Sequence, residues 1–284
     1  AKYIRQKKLK ILTLNSHDSS GGAARAAYNL YFGLKELGLD SRMLVSSKAT
    51  QDHGVEGPGT KLGKMMSYLS PHIDGLPKKY FSTLNENLHS PAWFSNIKAD
   101  AINEINSDII HLHWVQGGYL SIKTIAQLNK PIVWTLHDMW PFSGAEHYSN
   151  GSLRYKEGYN KSNRPEGEAG IDLNRWAWKR KKRAWGRIKN LTVVAPSKWM
   201  ARCAVESVLF KDRRIEVIPV GLDHNLYRPR DKQTVREILG MPLDKKIILI
   251  GAMNFLKDKR KGGHYLKKAF ELLVKAGCDE KYEV

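Results

Sequence analysis

Residues 10–25 read KILTLNSHDSSGGAAR, and this stretch decides the fold. It begins with a short apolar run that contains β-branched residues, which is the pattern of a buried parallel strand. Gly21 and Gly22 follow in a turn, and a helical spacing of apolar residues runs from about residue 24 to residue 37. A second strand is predicted at residues 41–46. The stretch therefore predicts a βαβ unit with a glycine-rich first turn.

The same alternation of strand and helix patterns continues along the chain. Further strands are predicted at residues 109–115, 132–137, 191–196, 215–219 and 246–251, and helices at residues 120–128, 173–188, 198–208 and 264–276. Such alternation is typical of an α/β fold with a parallel sheet and helices on both faces. Residues 49–98 are expected to form loops and short helices, and the glycine-rich residues 143–170 a mobile loop.

Two domains are predicted from this pattern. Residues 1–223 form a Rossmann-like domain, and residues 224–284 form a linker and the start of a second Rossmann-like domain. The second domain holds one predicted strand and, at residues 282–284, the beginning of another. Because so small a sheet cannot bury both of its faces, we expect the second domain to be truncated.

Composition limits the classes of protein to which the chain can belong. It has 284 residues, a formal net charge of +19 and two cysteines, Cys203 and Cys278, which argue against a disulfide scaffold and for a reducing compartment. There is no apolar run of about 18 residues, so no membrane-spanning helix is expected. We expect a cytoplasmic protein at the inner face of the membrane. The charge indicates an anionic partner: nucleic acid, an anionic membrane surface or a phosphorylated small molecule.

The glycine pair at residues 21 and 22 is the first candidate for ligand contact. Successive glycines allow a ligand to approach the backbone closely, and the free N–H groups of a helix N-terminus attract phosphate. The sequence at this turn is not GxGxxG, so a dinucleotide fingerprint is not supported. A tight turn without a ligand is the alternative.

Histidines form the second candidate group. His137 and Asp138 follow a predicted parallel strand, at the end where open α/β sheets bind ligands. An imidazole there can donate a hydrogen bond to a sugar hydroxyl or stabilise developing charge. His111 and His113 alternate along one strand and so share a face. We favour a packing or substrate-lining role for them over a metal site, because no cysteine or carboxylate nearby completes a ligand set.

Basic residues are concentrated in two places. The predicted helix at residues 175–189 carries an apolar stripe of Trp178, Trp185 and Ile188 for the core, and its basic exterior suits anionic lipid headgroups. No RNP, helix-turn-helix or zinc motif accompanies this charge, so nucleic acid is disfavoured. The basic residues 257–262 precede a predicted helix and could clamp a diphosphate, although a solvated loop is the alternative.

Six stretches together carry a resemblance to a known family. They are residues 20–25 (SGGAAR), 110–114 (IHLHW), 135–144 (TLHDMWPFSG), 195–199 (APSKW), 217–223 (VIPVGLD), and Gly251-Ala252 followed by residues 260–262 (RKG). In this order they make the chain similar to glycosyltransferase family 4, the retaining GT-B enzymes, and in particular to those of bacterial polysaccharide assembly.

The resemblance implies a site and a reaction. Gly21 and Gly22 would lie under the diphosphate of a nucleotide-sugar donor, with UDP as the expected nucleotide, and His137 would contact the transferred sugar near its anomeric centre. Arg260 and Lys261 would neutralise the diphosphate leaving group. Further residues expected to line the acceptor or substrate are Arg25, His113, Asp138 and Trp140. Transfer to a polysaccharide or lipid-linked acceptor would retain the anomeric configuration, without an obligatory metal or other cofactor.

Two departures from the family pattern and two alternatives stay open. Family members carry Glu-x7-Glu in the second domain; the chain stops before it, so we expect it to be inactive or weakly active alone. Residues 143–170 lack the cysteines that relatives carry there, so no metal-stapled loop is expected.

One alternative is a non-catalytic basic module that binds nucleic acid or an anionic membrane surface. The other is a GT-B-like nucleotide-sugar epimerase, which needs acidic catalytic residues that the sequence does not reveal.

Overall fold

A computed structural model describes residues 8–252, 255, 258–277 and 281–283. The chain divides into two compact units, a first unit of Ala1–Leu222 and a second unit of Asp223–Val284. Cys278 and Lys257, which the sequence singled out, lie outside the described residues.

Strands and helices alternate along most of the chain. The strands are β1 (Lys10–His17), β2 (Asp40–Ser47), β3 (Val55–Glu56), β4 (Phe81–Ser82), β5 (Ile109–Leu112), β6 (Ile132–Thr135), β7 (Ala169–Gly170), β8 (Leu191–Ala195), β9 (Arg214–Val217), β10 (Lys246–Ile247) and β11 (Tyr282–Glu283). The α-helices are α1 (Gly22–Glu36), α2 (Lys61–Asp74), α3 (Ala99–Asn103), α4 (Ile122–Ala126), α5 (Arg154–Glu157), α6 (Leu173–Trp185), α7 (Lys198–Val205), α8 (Lys232–Ile238) and α9 (Gly263–Lys275). Short 3-10 helices cover Leu76–Tyr80, Trp140–Phe142 and Lys259–Lys261.

The first unit is built on a seven-stranded sheet. Its order is β3-β2-β1-β5-β6-β8-β9, and every described pair in it is parallel. The predicted α/β fold with a parallel sheet is therefore confirmed. Because all strands run the same way, their carboxyl ends meet at one edge, where β1, β5 and β6 are neighbours.

Aromatic side chains fill the core below this edge. Trp134, Trp140 and Trp185 are fully buried, and the ring centroids of Trp134 and Trp185 lie 5.4 Å apart in an edge-to-face arrangement. Trp178, Trp185 and Ile188 are all buried, so the predicted apolar stripe of the basic helix does face the core. The tryptophan-rich core holds α6 against the strand ends that carry the histidines.

Residues 49–98 contain a longer helix than was expected from the sequence. α2 has 14 residues, and its N-cap is Thr60, whose hydroxyl accepts a hydrogen bond from the Gly63 N–H at 3.0 Å. Only Ser70 and Asp74 of this helix are buried. The sequence pattern hid the helix because most of its apolar side chains point outward, so no inward apolar stripe marks it.

The expectation of a mobile loop at residues 143–170 was wrong. Glu146, His147, Arg154, Tyr155 and Tyr159 are all buried. Several of their polar groups pair with residues outside the segment: the Arg154 guanidinium pairs with the Asp172 carboxylate at 2.7 Å, and His147 Nδ1 bonds the Asp138 carboxylate at 2.6 Å. Buried polar contacts to the rest of the unit therefore hold this polar segment in place.

The second unit contains α8, α9 and a parallel pair of strands, β10 and β11. The side chain of Arg236 is buried and donates to the backbone carbonyls of Pro242, Leu243 and Lys245. The order β10-α9-β11 is the strand–helix–strand unit expected at the start of a second α/β domain. Within the part of the chain that the structure describes, no helix has the length and apolar character to cross a bilayer.

Candidate functional site

Strand ends at the carboxyl edge are bonded directly to one another. The backbone N–H of Ser16 donates to the Trp114 carbonyl at 2.8 Å, and the Trp114 N–H donates to the Asn15 side chain at 2.8 Å. These bonds tie the segment after β5 to the end of β1. His113 follows β5, and His137 follows β6, so both sit in loops just beyond the strands rather than within them.

The glycine pair opens α1 four residues after β1 ends. Gly21 has φ +88°, which only glycine adopts readily, and its position at the N-cap carries no capping side chain. No atom lies within 4 Å of the position that a Cβ would take on Gly21 or on Gly22. The N-terminus of the 15-residue helix α1 therefore has no capping side chain, and the Cβ positions of its two glycines are open.

Three imidazoles lie side by side at the neighbouring strand ends. The rings of His111 and His113 have centroids 4.5 Å apart, and those of His113 and His137 lie 5.2 Å apart. His113 Nδ1 and His137 Nε2 are hydrogen-bonded at 3.0 Å, and His111 Nε2 bonds the Thr135 hydroxyl at 2.8 Å. Burial lowers the pKa of His111 and of His137 to about 4 and the pKa of His113 well below its usual value. At neutral pH these rings act as neutral hydrogen-bonding groups.

The buried histidines should make stability depend on pH. His111 has a pKa of about 4 in the folded chain, because of burial, and about 6.5 when unfolded. Between these values the unfolded chain binds more protons, so acidification lowers the free energy of unfolding. From pH 7 to pH 5 we expect the wild-type chain to lose about 1–2 kcal/mol more than the His111→Asn variant. Urea unfolding at both pH values measures this; equal losses in the two proteins would contradict it.

Asp138 is held inside a chain of hydrogen bonds. One carboxylate oxygen accepts from His147 Nδ1 at 2.6 Å and from Trp114 Nε1 at 3.1 Å, and the other accepts from the Trp140 N–H at 2.9 Å. His147 Nε2 in turn bonds the Ser90 hydroxyl at 2.8 Å. Burial would raise the pKa of Asp138, but His147 and these hydrogen bonds hold it below its usual value. The carboxylate therefore orients the loop that carries His137.

Trp140 is a core residue in this structure. Its side chain is 0% exposed, and its indole N–H donates to the Ser90 carbonyl at 2.8 Å. Asp138 is 6% exposed. Both side chains were expected to contact substrate. Trp140 has no exposed surface with which to do so, and its contacts are those of a residue that supports the loop.

Lys181 is a residue whose role the sequence pattern did not reveal. It was expected on the solvated exterior of the basic helix, yet it is completely buried. Its ammonium lies 3.6 Å from the centroid of the Trp140 ring and donates to the carbonyls of Trp140, Ser143 and Gly144. Burial lowers the pKa of Lys181 well below its usual value. One signal could have found it: Lys181 stands between Trp178 and Trp185 on the core-facing stripe.

Two adjoining cavities open at the carboxyl ends of β1 and β2. Their volumes are about 940 Å³ and about 250 Å³, and both are lined by His17, Ser46, Ser47, Ser67 and Pro71. The larger cavity also has Lys48, Lys64, Tyr68 and His72 in its wall; the smaller has Ser90, Trp114 and Gln116. Gly21, Gly22, Arg25 and His137 are not among the residues that line these two cavities.

The remaining predicted residues lie on the surface. Arg25 is exposed on the first turn of α1. Arg260 and Lys261 are exposed in the second unit, in the 3-10 helix that precedes α9, and the Arg260 guanidinium pairs with Asp258 at 2.6 Å. Among the described residues, no three or more His, Cys, Asp or Glu side chains are arranged to hold a metal ion.

Comparison with known proteins gives one family and one similar structure. The family model described as Glycosyltransferase Family 4 matches residues 20–226, which is more than half of the chain. No curated protein matches the chain. A solved structure of Anabaena Alr3699/HepE in complex with UDP and glucose is similar with a TM-score of 0.46 and 14% identity, over 97% of this chain and 68% of that chain.

Proposed function

The chain belongs to glycosyltransferase family 4, and from this premise we propose that it transfers a sugar from a nucleotide sugar, UDP-linked in our proposal, with retention of configuration. The acceptor is a growing polysaccharide or a lipid-linked sugar at the cytoplasmic face of the membrane. The first unit binds the acceptor, and the second unit contributes to binding of the donor. The reaction needs no metal ion or other cofactor.

One observation carries this proposal: the twin-glycine turn and His137 follow β1 and β6, two strands that flank β5 at the same edge of the sheet. The open N-terminus of α1 offers N–H groups to a phosphate. The His137 ring is neutral, and His113 holds its Nε2, so Nδ1 is the nitrogen that meets a hydroxyl of the transferred sugar. A neutral imidazole suits this role because it hydrogen-bonds a sugar without attracting a counter-ion.

The remaining charged residues bear on two parts of the proposal, the diphosphate leaving group and the location at a membrane. The positive side chains of Arg260 and Lys261 neutralise diphosphate, and the leaving phosphate guides the acceptor hydroxyl so that configuration is retained. On α6 and just after it, Lys179, Lys182, Arg183, Arg187 and Lys189 are exposed. Such a basic surface is attracted to the anionic headgroups of a membrane that carries the acceptor.

The smaller cavity is suited to a sugar of the acceptor. The Asp138 carboxylate accepts from His147 Nδ1, and His147 Nε2 is hydrogen-bonded to the Ser90 hydroxyl at 2.8 Å. Ser90 also lines the cavity, and its hydroxyl oxygen has capacity for a second hydrogen bond, to a hydroxyl of the sugar. Trp114 in the same wall offers an aromatic face. His113 and Arg25, which are not part of the lining of this cavity, are the other residues that we propose to contact substrate.

The Gly22→Leu substitution tests where the donor binds. No atom lies within 4 Å of a Cβ at residue 22, so the side chain should be accommodated by the fold but should block the approach of a diphosphate to the N-terminus of α1. We expect affinity for UDP or GDP sugars, measured by titration calorimetry, to fall roughly tenfold or more, the effect of losing about one charge-assisted hydrogen bond.

Gly33→Leu is the matched control, because Gly33 lies in the same helix and also has open space around its Cβ position. It should bind like the wild type. Equal affinities of the Gly22→Leu and Gly33→Leu variants would remove the glycine turn from the donor site. Failure of the wild-type protein to bind any nucleotide sugar would overturn the proposed function itself.

A further inference from the structure

Two buried side chains in the wall of the smaller cavity lack a hydrogen-bond partner. His89 is 7% exposed and Gln116 is 1% exposed, and both residues line the cavity of about 250 Å³. Within the part of the chain that the structure describes, neither His89 Nε2 nor Gln116 Oε1 has a partner. A buried polar atom left unpaired costs free energy in the folded protein. Two such atoms on residues of one cavity wall indicate that their partners come from outside the chain.

The hydrogen bond at the other ring nitrogen fixes the chemistry of His89. Nδ1 lies 2.7 Å from the carbonyl oxygen of Asn87, which can only accept, so Nδ1 carries the proton. Burial lowers the pKa of His89 to about 4, so the ring is neutral at pH 7 and Nε2 carries a lone pair. His89 Nε2 and Gln116 Oε1 are therefore both acceptors, and each requires a donor.

Serine hydroxyls in the same lining supply hydrogen-bond donors. Ser46 and Ser67 line the smaller cavity, and their oxygens accept from Asn96 Nδ2 at 2.8 Å and 3.1 Å. Because each oxygen accepts in these bonds, each hydroxyl keeps its own proton for a further acceptor. The cavity thus presents acceptors and donors together, and a sugar hydroxyl, which both donates and accepts, matches this combination.

The charge and size of the cavity restrict the class of ligand further. Apart from histidines, the charged residues among the described residues that line it are Asp74 and Lys78, whose charges cancel. The two unpaired acceptors, on His89 and Gln116, would not pair with the oxygens of a phosphate or a carboxylate, which also accept. The volume lies just below the usual range of small-molecule sites, about 300–1,000 Å³. These properties together fit one ring of a neutral sugar.

We propose that His89 and Gln116 determine which sugar enters the smaller cavity, each accepting a hydrogen bond from a different hydroxyl of one neutral hexose unit. A site with buried acceptors matched to two hydroxyls rejects a sugar that lacks either of them, because one acceptor is then left unpaired. The adjoining larger cavity leaves room for the rest of an oligosaccharide. That this hexose belongs to the acceptor rests on the proposed function; the requirement for two hydroxyls does not.

Deoxy sugars test this requirement on the unaltered protein. Binding of the methyl glycosides of glucose, galactose, mannose and N-acetylglucosamine is measured by ligand-observed NMR, without any nucleotide. We expect a dissociation constant of about 1 mM for at least one of them. In the series of deoxy analogues of that sugar, removal of either of two particular hydroxyls should weaken binding roughly tenfold or more. Removal of the others should have a smaller effect.

Two variants assign these hydroxyls to the two side chains. Gln116→Met removes the acceptor at similar volume, so it should bind the parent sugar roughly tenfold more weakly but no longer distinguish it from one of the two critical deoxy analogues. His89→Phe should lose the distinction at the other hydroxyl. A residue with a merely structural role would weaken parent and analogue equally and preserve their ratio. Gln127→Met and His53→Phe are matched controls, since these exposed residues line neither cavity, and both should keep the wild-type ratios.

Three results would overturn the proposal. They are no binding of any of the four glycosides, no deoxy analogue that binds tenfold more weakly, and wild-type ratios in both the Gln116→Met and His89→Phe variants. The last result would assign the two acceptors to bound water. Circular dichroism verifies that each variant is folded, and the deoxy series decides the outcome on the wild type if a variant is not.

The same assay separates this proposal from the proposed function. A protein that binds nucleotide sugars but none of the four glycosides would retain the proposed function and lose the hexose site. A protein that discriminates the deoxy analogues as expected but binds no nucleotide sugar would retain the hexose site and lose the proposed function.

Discussion

Replacing His137 with alanine should lower the rate of sugar transfer roughly 100-fold or more, the loss that follows removal of a hydrogen-bonding group acting at the reacting centre. His137 follows β6 at the carboxyl edge of the sheet, and its Nε2 is hydrogen-bonded to His113 Nδ1 at 3.0 Å. A ring fixed in this way loses little entropy on meeting the transition state. Release of free nucleotide from UDP and GDP sugars by the full-length protein is the measurement.

An exposed histidine provides the control for this experiment. His53→Ala removes an imidazole from the surface of the same unit and should leave the rate unchanged. The midpoint of thermal unfolding, measured for both variants, separates a chemical loss from a loss of fold. If the His137→Ala variant is folded and turns over at the rate of His53→Ala, His137 has no role at the reacting centre.

Replacing Lys181 with alanine should lower the free energy of unfolding by about 3–5 kcal/mol, the usual cost of emptying a buried, hydrogen-bonded site. The substitution leaves the carbonyls of Trp140, Ser143 and Gly144 without the donor they have now. It also leaves a hole against the Trp140 ring, which the ammonium contacts at 3.6 Å from the centroid. Urea unfolding at neutral pH measures the change.

Two further variants interpret this result. Lys182→Ala removes the neighbouring, exposed lysine and should change stability by less than about 0.5 kcal/mol. Lys181→Met fills much of the volume but cannot donate, so its loss, about 2–3 kcal/mol, isolates the cost of the unpaired carbonyls. Equal stability of the Lys181→Ala and Lys182→Ala variants would mean that the carbonyls find other partners and that Lys181 does not support the loop.

Together these two experiments separate the chemistry of the site from its support. His137 is expected to act on the sugar. Asp138 and Lys181 hold the loop that contains Trp140 in place, through the Trp140 N–H and the Gly144 carbonyl. The Asp138–His147–Ser90 chain links that loop to residue 90, which lines the smaller cavity. Substitution of any of these buried residues should therefore alter the structure at both the end of β6 and the smaller cavity.

The parallel α/β fold could be predicted from the sequence alone. Strand and helix patterns depend on neighbours within one or two turns of chain, so the order of apolar runs around β1, α1, β5 and β6 could be read directly. The same local reasoning placed Trp178 and Trp185 on the core side of α6, and it placed His137 and the glycine pair at strand ends.

The burial of particular polar side chains and the exposure of particular apolar ones depend on contacts between distant parts of the chain. Lys181 shares the core-facing stripe of α6 with Trp178 and Trp185, but a run of basic residues surrounds it in sequence, and the contact with the Trp140 ring that buries it is seen only in the fold. Ser90 is 57 residues from His147 in sequence, and it meets the Asp138–His147 pair without a recognisable spacing. The outward apolar face of α2 could not be predicted from the sequence for a related reason. Periodicity reveals that residues share a face of a helix, but contacts between distant parts of the chain decide what packs against that face.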